Sequence, residues 1–305
     1  IFLQKFIKFI TKFAIKMSYK KALVFGSNGL LGQAFFKQLK EFDIEPIGVA
    51  RSNAEYCIDL LNMSSLPRII GESNVDLVIN CAAIVSINKC ENEPLKAEKI
   101  NSDLVNVLAS ACANYEKKFI HISTDHFYVN DKKTLHKETD EIKIVNKYAM
   151  TKRIGELNAL KFNNPLVVRT NITGLRGINS RPTFFEWLYS SLISKSKISL
   201  FTDFYTSTIS AEMLAKYSII ASNLGLTGLI NIASSECISK KDFALLLAKN
   251  LSIKCESFQD SSVCELKPRR ANSLGLDCTK AEQILNIKMP NADEVIKNLI
   301  RSLKN

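Results

Sequence analysis

Short apolar runs alternate with longer helical patterns along the first half of the chain, and this alternation constrains the fold more than any other feature. The apolar runs lie at 22–25, 46–50, 75–83, 119–122 and 166–168, and the main helical patterns lie at 30–41, 94–114 and 147–162. The runs are nearly continuous, as in strands that are buried on both faces, and strands separated by helices pair in parallel. The sequence therefore predicts an α/β fold, a doubly wound parallel (Rossmann) sheet covered by helices on both faces.

The regularity weakens after Arg169. Short strand patterns follow at 198–201 and 228–233, and helical patterns at 210–222, 239–251, after Thr279 and after Ala292. We expect residues 17–170 to form a dinucleotide-binding domain and residues 171–305 to form mainly a smaller substrate-binding lobe, with the strand near 228–233 returning to the first sheet. A chain of 305 residues, 46% of them hydrophobic, is long enough to bury such a core.

Residues 1–16 carry a separate pattern that is basic and amphipathic. On a helix with about 100° per residue, the four lysines lie on one side and the phenylalanine, isoleucine and leucine side chains lie on the other. We expect this extension to be non-native, because Met17 stands just before the first strand; the alternative is a helix that binds a membrane surface. No later window holds about eighteen uninterrupted apolar residues, so we expect no membrane span.

The charge and the cysteines exclude two classes of partner. Four of the lysines behind the formal net charge of +11 lie in the extension, and the rest of the chain has no basic block with interleaved aromatics. We therefore expect anionic small molecules and no nucleic acid as partners. The eight cysteines form no Cys-x-x-Cys pair and the three histidines lie far from them, so we expect no metal site. Cysteines inside apolar runs, such as Cys81, are typical of buried thiols in a reducing compartment, which predicts a cytoplasmic protein.

A glycine-rich loop follows the first apolar run directly and opens the first helical pattern. Glycines at this spacing allow a tight turn and let the backbone approach a pyrophosphate, while the helix N-terminus supplies N–H donors and positive potential. The context of strand, loop and helix makes the loop typical of dinucleotide binding. The cofactor contacts predicted in this loop are Gly26, Ser27, Gly29, Leu30, Leu31 and Gly32.

The end of the second strand indicates which dinucleotide is bound. An NAD-binding site would carry an acid there to hold the ribose hydroxyls, whereas this strand ends in Val49-Ala50-Arg51-Ser52. Because Arg51 can pair with a 2′-phosphate, we expect NADPH to be preferred over NADH.

Tyr148 and Lys152 are four residues apart, on one face of the helix predicted from about 147. A neighbouring cation favours the phenolate, so we expect Lys152 to lower the pKa of Tyr148 and make it a tuned acid. The strand that ends at Ile122 is followed by Ser123-Thr124-Asp125, which places a hydroxyl at the carboxyl edge of the sheet, where open α/β sheets bind their ligands.

Together these motifs resemble those of the extended short-chain dehydrogenase/reductases, and within them the dTDP-4-dehydrorhamnose reductase group of nucleotide-sugar reductases. The resemblance covers nearly the whole chain from Met17 onward and includes the segment 267–272 near its end. Besides the glycine loop and the Tyr148/Lys152 pair, it rests on Asp59-Leu60, Asn80-Cys81-Ala82-Ala83, Ile100-Asn101, Ser123-Thr124-Asp125, Lys137-Glu138-Thr139-Asp140, Gly155-Glu156 and Val168-Arg169-Thr170.

The resemblance implies hydride transfer from NADPH, with NADH as a second cofactor, to the ketone of a nucleotide-linked 4-keto-6-deoxysugar. It implies that Tyr148 donates the proton, that Lys152 holds the nicotinamide ribose, and that Thr124 hydrogen-bonds the substrate oxygen. The further cofactor contacts that it implies are Asp59, Leu60, Cys81, Ala82, Ala83 and Asn101, and the further substrate contacts are Asp125 and Arg270. The implied partner is a nucleotide-diphosphate sugar, and a homodimer is left open.

Two departures from the family pattern bear on the substrate and on rival functions. Asn171-Ile172-Thr173 stands where the family often has a bulky aromatic, and His126 stands where it usually has a tyrosine. His126 also replaces the second carboxylate that related 4,6-dehydratases use, which argues against dehydration. The alternatives are a 4-epimerase, which fits poorly with Arg51, and a non-catalytic NADP-binding regulatory subunit, which fits poorly with the retained Thr124, Tyr148 and Lys152.

Overall fold

A computed structural model describes residues 17–177, 181–254 and 258–304 of the chain. The basic extension, residues 1–16, lies outside the described residues. The strands are β1 (Lys21–Phe25), β2 (Glu45–Ala50), β3 (Tyr56–Cys57), β4 (Leu77–Asn80), β5 (Lys118–Ile122), β6 (Leu135–His136), β7 (Pro165–Arg169), β8 (Ile172–Thr173), β9 (Ile198–Phe201), β10 (Tyr205–Thr206), β11 (Ile209–Ser210), β12 (Gly228–Asn231), β13 (Ile238–Ser239), β14 (Phe258–Ser261) and β15 (Ser273–Leu276).

The helices alternate with these strands in the first half of the chain. They are α1 (Leu30–Glu41), α2 (Leu66–Glu72), α3 (Ile87–Asn92), α4 (Pro94–Glu98), α5 (Leu104–Asn114), α6 (Lys147–Leu160), α7 (Phe184–Ile193), α8 (Ala211–Asn223), α9 (Lys240–Asn250), α10 (Thr279–Leu285) and α11 (Ala292–Ser302). A π-helical turn over Lys99–Asp103 joins α4 to α5, so the single helical pattern at 94–114 forms three consecutive segments.

Seven strands form the main sheet, in the order β12-β7-β5-β4-β1-β2-β3, and every pair in it is parallel. Its two faces are covered by separate apolar clusters. Val24 of β1 packs with Phe35 of α1 on one face, while the next residue back along the strand, Leu23, packs with Leu108 of α5 on the other. Because neighbouring side chains point to opposite buried faces, both must be apolar, which explains the continuous runs in the sequence. The predicted doubly wound α/β sheet is confirmed.

The second half of the chain builds onto the carboxyl edge of this sheet. A four-stranded sheet has the order β13-β10-β15-β6, so it takes β6 from the first half of the chain. The pairs β8/β11 and β9/β14 complete the C-terminal lobe, whereas β12 lies beside β7 in the main sheet. The lobe is therefore assembled from separated segments of the chain. In the described residues, no helix is long and apolar enough to cross a membrane.

Candidate active site

The glycine loop between β1 and α1 is packed so closely against neighbouring backbone that two of its positions exclude a side chain. Gly26 has a φ of +77°, and a Cβ atom there would lie 2.9 Å from the backbone nitrogen of Ala82. A Cβ atom on Gly32 would lie 2.3 Å from the carbonyl oxygen of Gly26, so α1 packs directly on the loop. Gly29 caps α1 without a side chain, which leaves the N-terminal N–H groups of the helix accessible to an anion. These residues fit the pyrophosphate of a dinucleotide.

A cavity of about 670 Å³ opens beside this loop, at the carboxyl ends of the central strands. Tyr148 and Lys152 reach it from α6, and Thr124 reaches it from the loop after β5. The helix begins just before the tyrosine, because the Asn146 side chain accepts a hydrogen bond of 2.8 Å from the Ala149 backbone N–H. All three predicted catalytic side chains therefore line one buried space, as the topology of an open parallel sheet favours.

The environment of Tyr148 differs from the sequence-based prediction. Tyr148 is 8% exposed, and burial raises the pKa of its phenol, while a hydrogen bond with Thr124 acts in the opposite direction. The Lys152 ammonium donates a 2.6 Å hydrogen bond to the carbonyl oxygen of Ile122 at the end of β5. The prediction that Lys152 lowers the pKa of Tyr148 is wrong for this arrangement, because removal from water dominates and the neighbouring Asp125 carboxylate also raises the pKa. The phenol is therefore neutral at neutral pH.

A buried carboxylate behind the cavity stabilises the charged form of Lys152. Burial lowers the pKa of its ammonium to about 8, and the Glu156 carboxylate one helical turn away acts in the opposite direction. Glu156 is fully buried and bridges α6 to β7 through two hydrogen bonds from Arg169, of 2.9 Å to Oε2 and 2.7 Å to Oε1. Ser123 donates a 2.9 Å hydrogen bond to the same carboxylate, and Arg153 of α6 also pairs with it, so the buried carboxylate joins the helix to the ends of β5 and β7.

The structure places the remaining predicted residues in three groups. Those that line the cavity are Gly29, Leu30, Leu31, Cys81, Ala83, Asp125 and Arg270. Those outside this cavity are Gly26, Ser27, Gly32, Arg51, Asp59, Leu60 and Ala82, of which Ser27 lines a second cleft. Asn101 does not reach the cavity: it is 1% exposed, and its amide bonds the backbone of Ile84 and the hydroxyl of Thr151. These contacts hold the loop after β4, and a direct cofactor contact at Asn101 stays a prediction.

A carboxylate that the sequence analysis missed lies beside the glycine loop. Glu55 Oε2 accepts a 2.7 Å hydrogen bond from the Gly48 backbone N–H on β2, and a Cβ atom on Gly48 would lie 2.8 Å from this oxygen and 2.9 Å from Ser27 Oγ. Glu55 and Ser27 line a second cleft of about 580 Å³, whereas Arg51 is exposed and does not line it. The sequence holds one signal for Glu55, which is its distance from the glycine loop. An acid that binds the ribose follows such a loop by about twenty residues.

Residues of the C-terminal lobe complete the cavity, and the sequence analysis did not identify them as a group. Among them are Asn171, Arg176, Phe184, Phe204 and Lys240. They come from segments far apart in the chain, so no local spacing predicts that they meet. Asn171, which departs from the family pattern, lies at the wall of the cavity. Its side-chain oxygen accepts a 2.7 Å hydrogen bond from the Thr208 hydroxyl.

His126 lines the same cavity and packs edge-on against Tyr148. Its ring centroid lies 5.4 Å from that of Tyr148 and 6.3 Å from that of Phe204. Burial, together with the cations of Arg270 and Lys240, lowers the pKa of His126 to about 4, so the imidazole is neutral at neutral pH. These contacts support an orienting role for His126.

Comparison with known proteins supports the arrangement. Residues 20–305 match the family described as RmlD substrate binding domain. The probable low-salt glycan biosynthesis reductase Agl14 of Haloferax volcanii is 28% identical over 288 residues, which span 90% of this chain and 95% of the relative. The dTDP-4-dehydrorhamnose reductase of Sinorhizobium fredii is 26% identical over 294 residues, which span 92% of this chain and 96% of the relative.

A solved structure shares the fold. It is the crystal structure of dTDP-4-dehydrorhamnose reductase from Bacillus anthracis in complex with NADP, which has a TM-score of 0.81, covers 93% of this chain and 98% of its own, and is 20% identical. At that identity the likeness concerns the fold alone. The family match, by contrast, extends from the first strand of the sheet to the end of the chain. The chain therefore belongs to the RmlD family, the nucleotide-sugar reductases of the dTDP-4-dehydrorhamnose reductase type.

Proposed function

We propose that this protein reduces the ketone of a nucleotide-linked 4-keto-6-deoxysugar, with NADPH as the preferred cofactor, NADH as the second, and Tyr148 as the proton donor. The observation that carries the proposal is the convergence of Tyr148, Lys152 and Thr124 in the cavity beside the glycine loop. Relatives named as nucleotide-sugar reductases, and the related structure solved with NADP, support the reaction class and the cofactor.

The chemistry follows from the donors that face the cavity. When bound, the nicotinamide supplies the hydride. Thr124 and Tyr148 are the neutral hydroxyl donors that stabilise the negative charge developing on the carbonyl oxygen, and both are fixed before the reaction begins. Tyr148 then gives its proton to that oxygen, and the Lys152 ammonium provides the positive field beside it. Lys152 would also hold the nicotinamide ribose.

The substrate class is tested with a panel of dTDP-, GDP-, CDP- and UDP-linked 4-keto-6-deoxysugars and NADPH. We expect NADPH consumption with at least one sugar, and a product with a new hydroxyl at C4. Binding of NADPH without turnover of any sugar would instead favour the regulatory-subunit alternative.

Arg51→Ala is expected to weaken NADPH binding by about ten- to a hundredfold and to change NADH binding little. A charged hydrogen-bonded pair with the 2′-phosphate contributes roughly 1.5–3 kcal/mol, and NADH lacks that phosphate. The measurement is the dissociation constant of each cofactor by fluorescence titration. Arg68→Ala is the matched control, since Arg68 is an exposed arginine whose nearest partner is Glu72 in α2. Equal NADPH constants before and after Arg51→Ala would contradict the assignment.

Glu55→Gln is expected to shift the cofactor ratio in the opposite direction. The Glu55 carboxylate lies beside Ser27 in the cleft next to the loop, where it can accept from a ribose hydroxyl but repels a phosphate. One charge pair about 4 Å apart in water interacts by about 1 kcal/mol, which corresponds to about a fivefold gain in NADPH affinity relative to NADH. The same fluorescence titrations measure the NADPH and NADH dissociation constants of this variant. An unchanged ratio of these two constants would show that Glu55 does not contact the adenosine part of the cofactor.

A further inference from the structure

Lys240 faces the active-site cavity from the C-terminal lobe and has no part in the mechanism above. It is the first residue of α9 and is half-buried. Its ammonium lies 4.6 Å from the centroid of the Phe184 ring and 5.6 Å from that of Phe204, and it donates one long hydrogen bond, of 3.4 Å, to Thr208 Oγ1. An ammonium carries three donors. Lys240 can therefore donate to a further acceptor inside the cavity.

Asp125 lines the same cavity and lacks a donor for one of its oxygens. It is 1% exposed, and Thr124 Oγ1 lies 3.4 Å from Asp125 Oδ1. Asp125 Oδ2 is buried and has no hydrogen-bond partner among the described residues. A buried carboxylate oxygen without a donor is costly, so the site is suited to a ligand group that donates a hydrogen bond.

The two groups influence each other without touching. Burial raises the pKa of Asp125 to about 7, while a hydrogen bond with the Asn171 side chain and the charge of Lys240 act in the opposite direction. Burial lowers the pKa of Lys240 to about 8, and Asp125 acts in the opposite direction. Within the described residues, no ion pair of 4.0 Å or less joins them. Both side chains line the same cavity, so a ligand oxygen bound there can bond to both.

The chemistry of the two sides restricts what can occupy that space. A phosphate or carbonyl oxygen would accept from Lys240 but would give the ionised Asp125 carboxylate no donor, whereas a hydroxyl suits Asp125 in either protonation state. A ligand ammonium would donate to Asp125 but would be repelled by Lys240. A hydroxyl accepts and donates at once, so it satisfies both sides.

We propose that Lys240 and Asp125 form a hydroxyl-binding subsite that selects sugars with a free hydroxyl on the carbon next to the reacting ketone. The position of this hydroxyl on the sugar follows from the order of two residues. Asp125 directly follows Thr124, the residue that would hold the ketone oxygen. For a 4-keto sugar, the neighbouring carbon that carries a hydroxyl is C3. This proposal rests on the proposed function and adds one substrate feature that the site recognises, the hydroxyl at C3.

The test compares two substrates and three proteins. The substrates are a dTDP-linked 4-keto-6-deoxysugar with its C3 hydroxyl and the 3-deoxy counterpart, each with NADPH. The proteins are the wild type, Lys240→Met, and the control Lys241→Met, since Lys241 is the next residue of α9 but pairs with Asp260 away from the cavity. NADPH dissociation constants and thermal unfolding show whether each variant is folded.

We expect the wild type to favour the hydroxylated sugar by at least about tenfold in kcat/KM, because a site built to bond a hydroxyl rejects the analogue without it. Lys240→Met should reduce kcat/KM for the hydroxylated sugar by about ten- to a hundredfold more than for the deoxy sugar, which removes most of the preference. Lys241→Met should retain the wild-type preference.

Equal losses on both sugars, or no preference in the wild type, would overturn the subsite and leave the reductase proposal standing. If the wild type bound NADPH but reduced neither these sugars nor the GDP-, CDP- and UDP-linked sugars, the proposed function would fall, and the subsite with it. If Lys240→Met lost NADPH binding or unfolded at a clearly lower temperature, Lys240→Gln would be used in its place. Lys240→Gln keeps a hydrogen-bond donor but loses the charge. A larger loss of kcat/KM for the hydroxylated sugar than for the deoxy sugar is again the expected result, and equal losses would overturn the subsite.

Discussion

Tyr148→Phe is expected to lower turnover by about 10²- to 10⁴-fold, the usual contribution of a positioned general acid. The substitution keeps the ring that packs edge-on against His126 and removes only the hydroxyl. Burial raises the pKa of Tyr148, so the phenol is protonated at neutral pH and gives up its proton only to the developing alkoxide, which is the stronger base. Single-turnover measurements at saturating sugar and NADPH measure the chemical step, and NADPH affinity should change little.

Two further variants separate catalysis from folding and binding. Lys152→Ala should weaken NADPH binding as well as turnover, because the ammonium lines the same cavity as the tyrosine and would hold the ribose. Tyr115→Phe is the matched control, since Tyr115 is 45% exposed and lies outside the cavity, and it should behave as the wild type. If Tyr148→Phe kept near-normal turnover while chemistry limited the rate, Tyr148 would not be the proton donor.

Glu156→Gln should produce the largest loss of stability, about 3–5 kcal/mol of the free energy of unfolding. The amide keeps the size of the side chain but leaves the Arg169 guanidinium, which is 1% exposed, without its opposite charge. Arg169 also donates a 2.9 Å hydrogen bond to the Tyr128 hydroxyl oxygen, but a neutral oxygen cannot replace a carboxylate. For a domain of this size, we expect Tm to fall by about 5–15 °C.

The control for this prediction is an exposed ion pair of similar length. Lys37→Ala removes the 2.7 Å contact with Glu212 between α1 and α8, where both side chains remain in contact with water. Such pairs contribute about 0–1 kcal/mol, so Tm should change by only a few degrees. If both variants lowered Tm equally, burial of the Glu156–Arg169 pair would not be what makes it stabilising.

The sequence by itself determined the features that depend on local order along the chain. Continuous apolar runs such as 22–25 predict the central parallel strands, because a strand covered on both faces needs apolar side chains in both directions. The spacing of Gly26 and Gly32 predicts the phosphate loop, and the spacing of Tyr148 and Lys152 places them on one face of α6. These are properties of neighbours within one strand, loop or helix.

Only the tertiary structure decided which distant groups meet and how strongly each is removed from water. The side chain of Glu55 lies over β2 next to Ser27, and Lys240 faces Asp125 from a helix more than a hundred residues further along the chain. The pKa of Tyr148 likewise depends on burial by the lobe and on Thr124 rather than on its spacing to Lys152. Burial and long-range electrostatics depend on three-dimensional packing, so the substrate wall and the charge state of the site could not be derived from local sequence patterns.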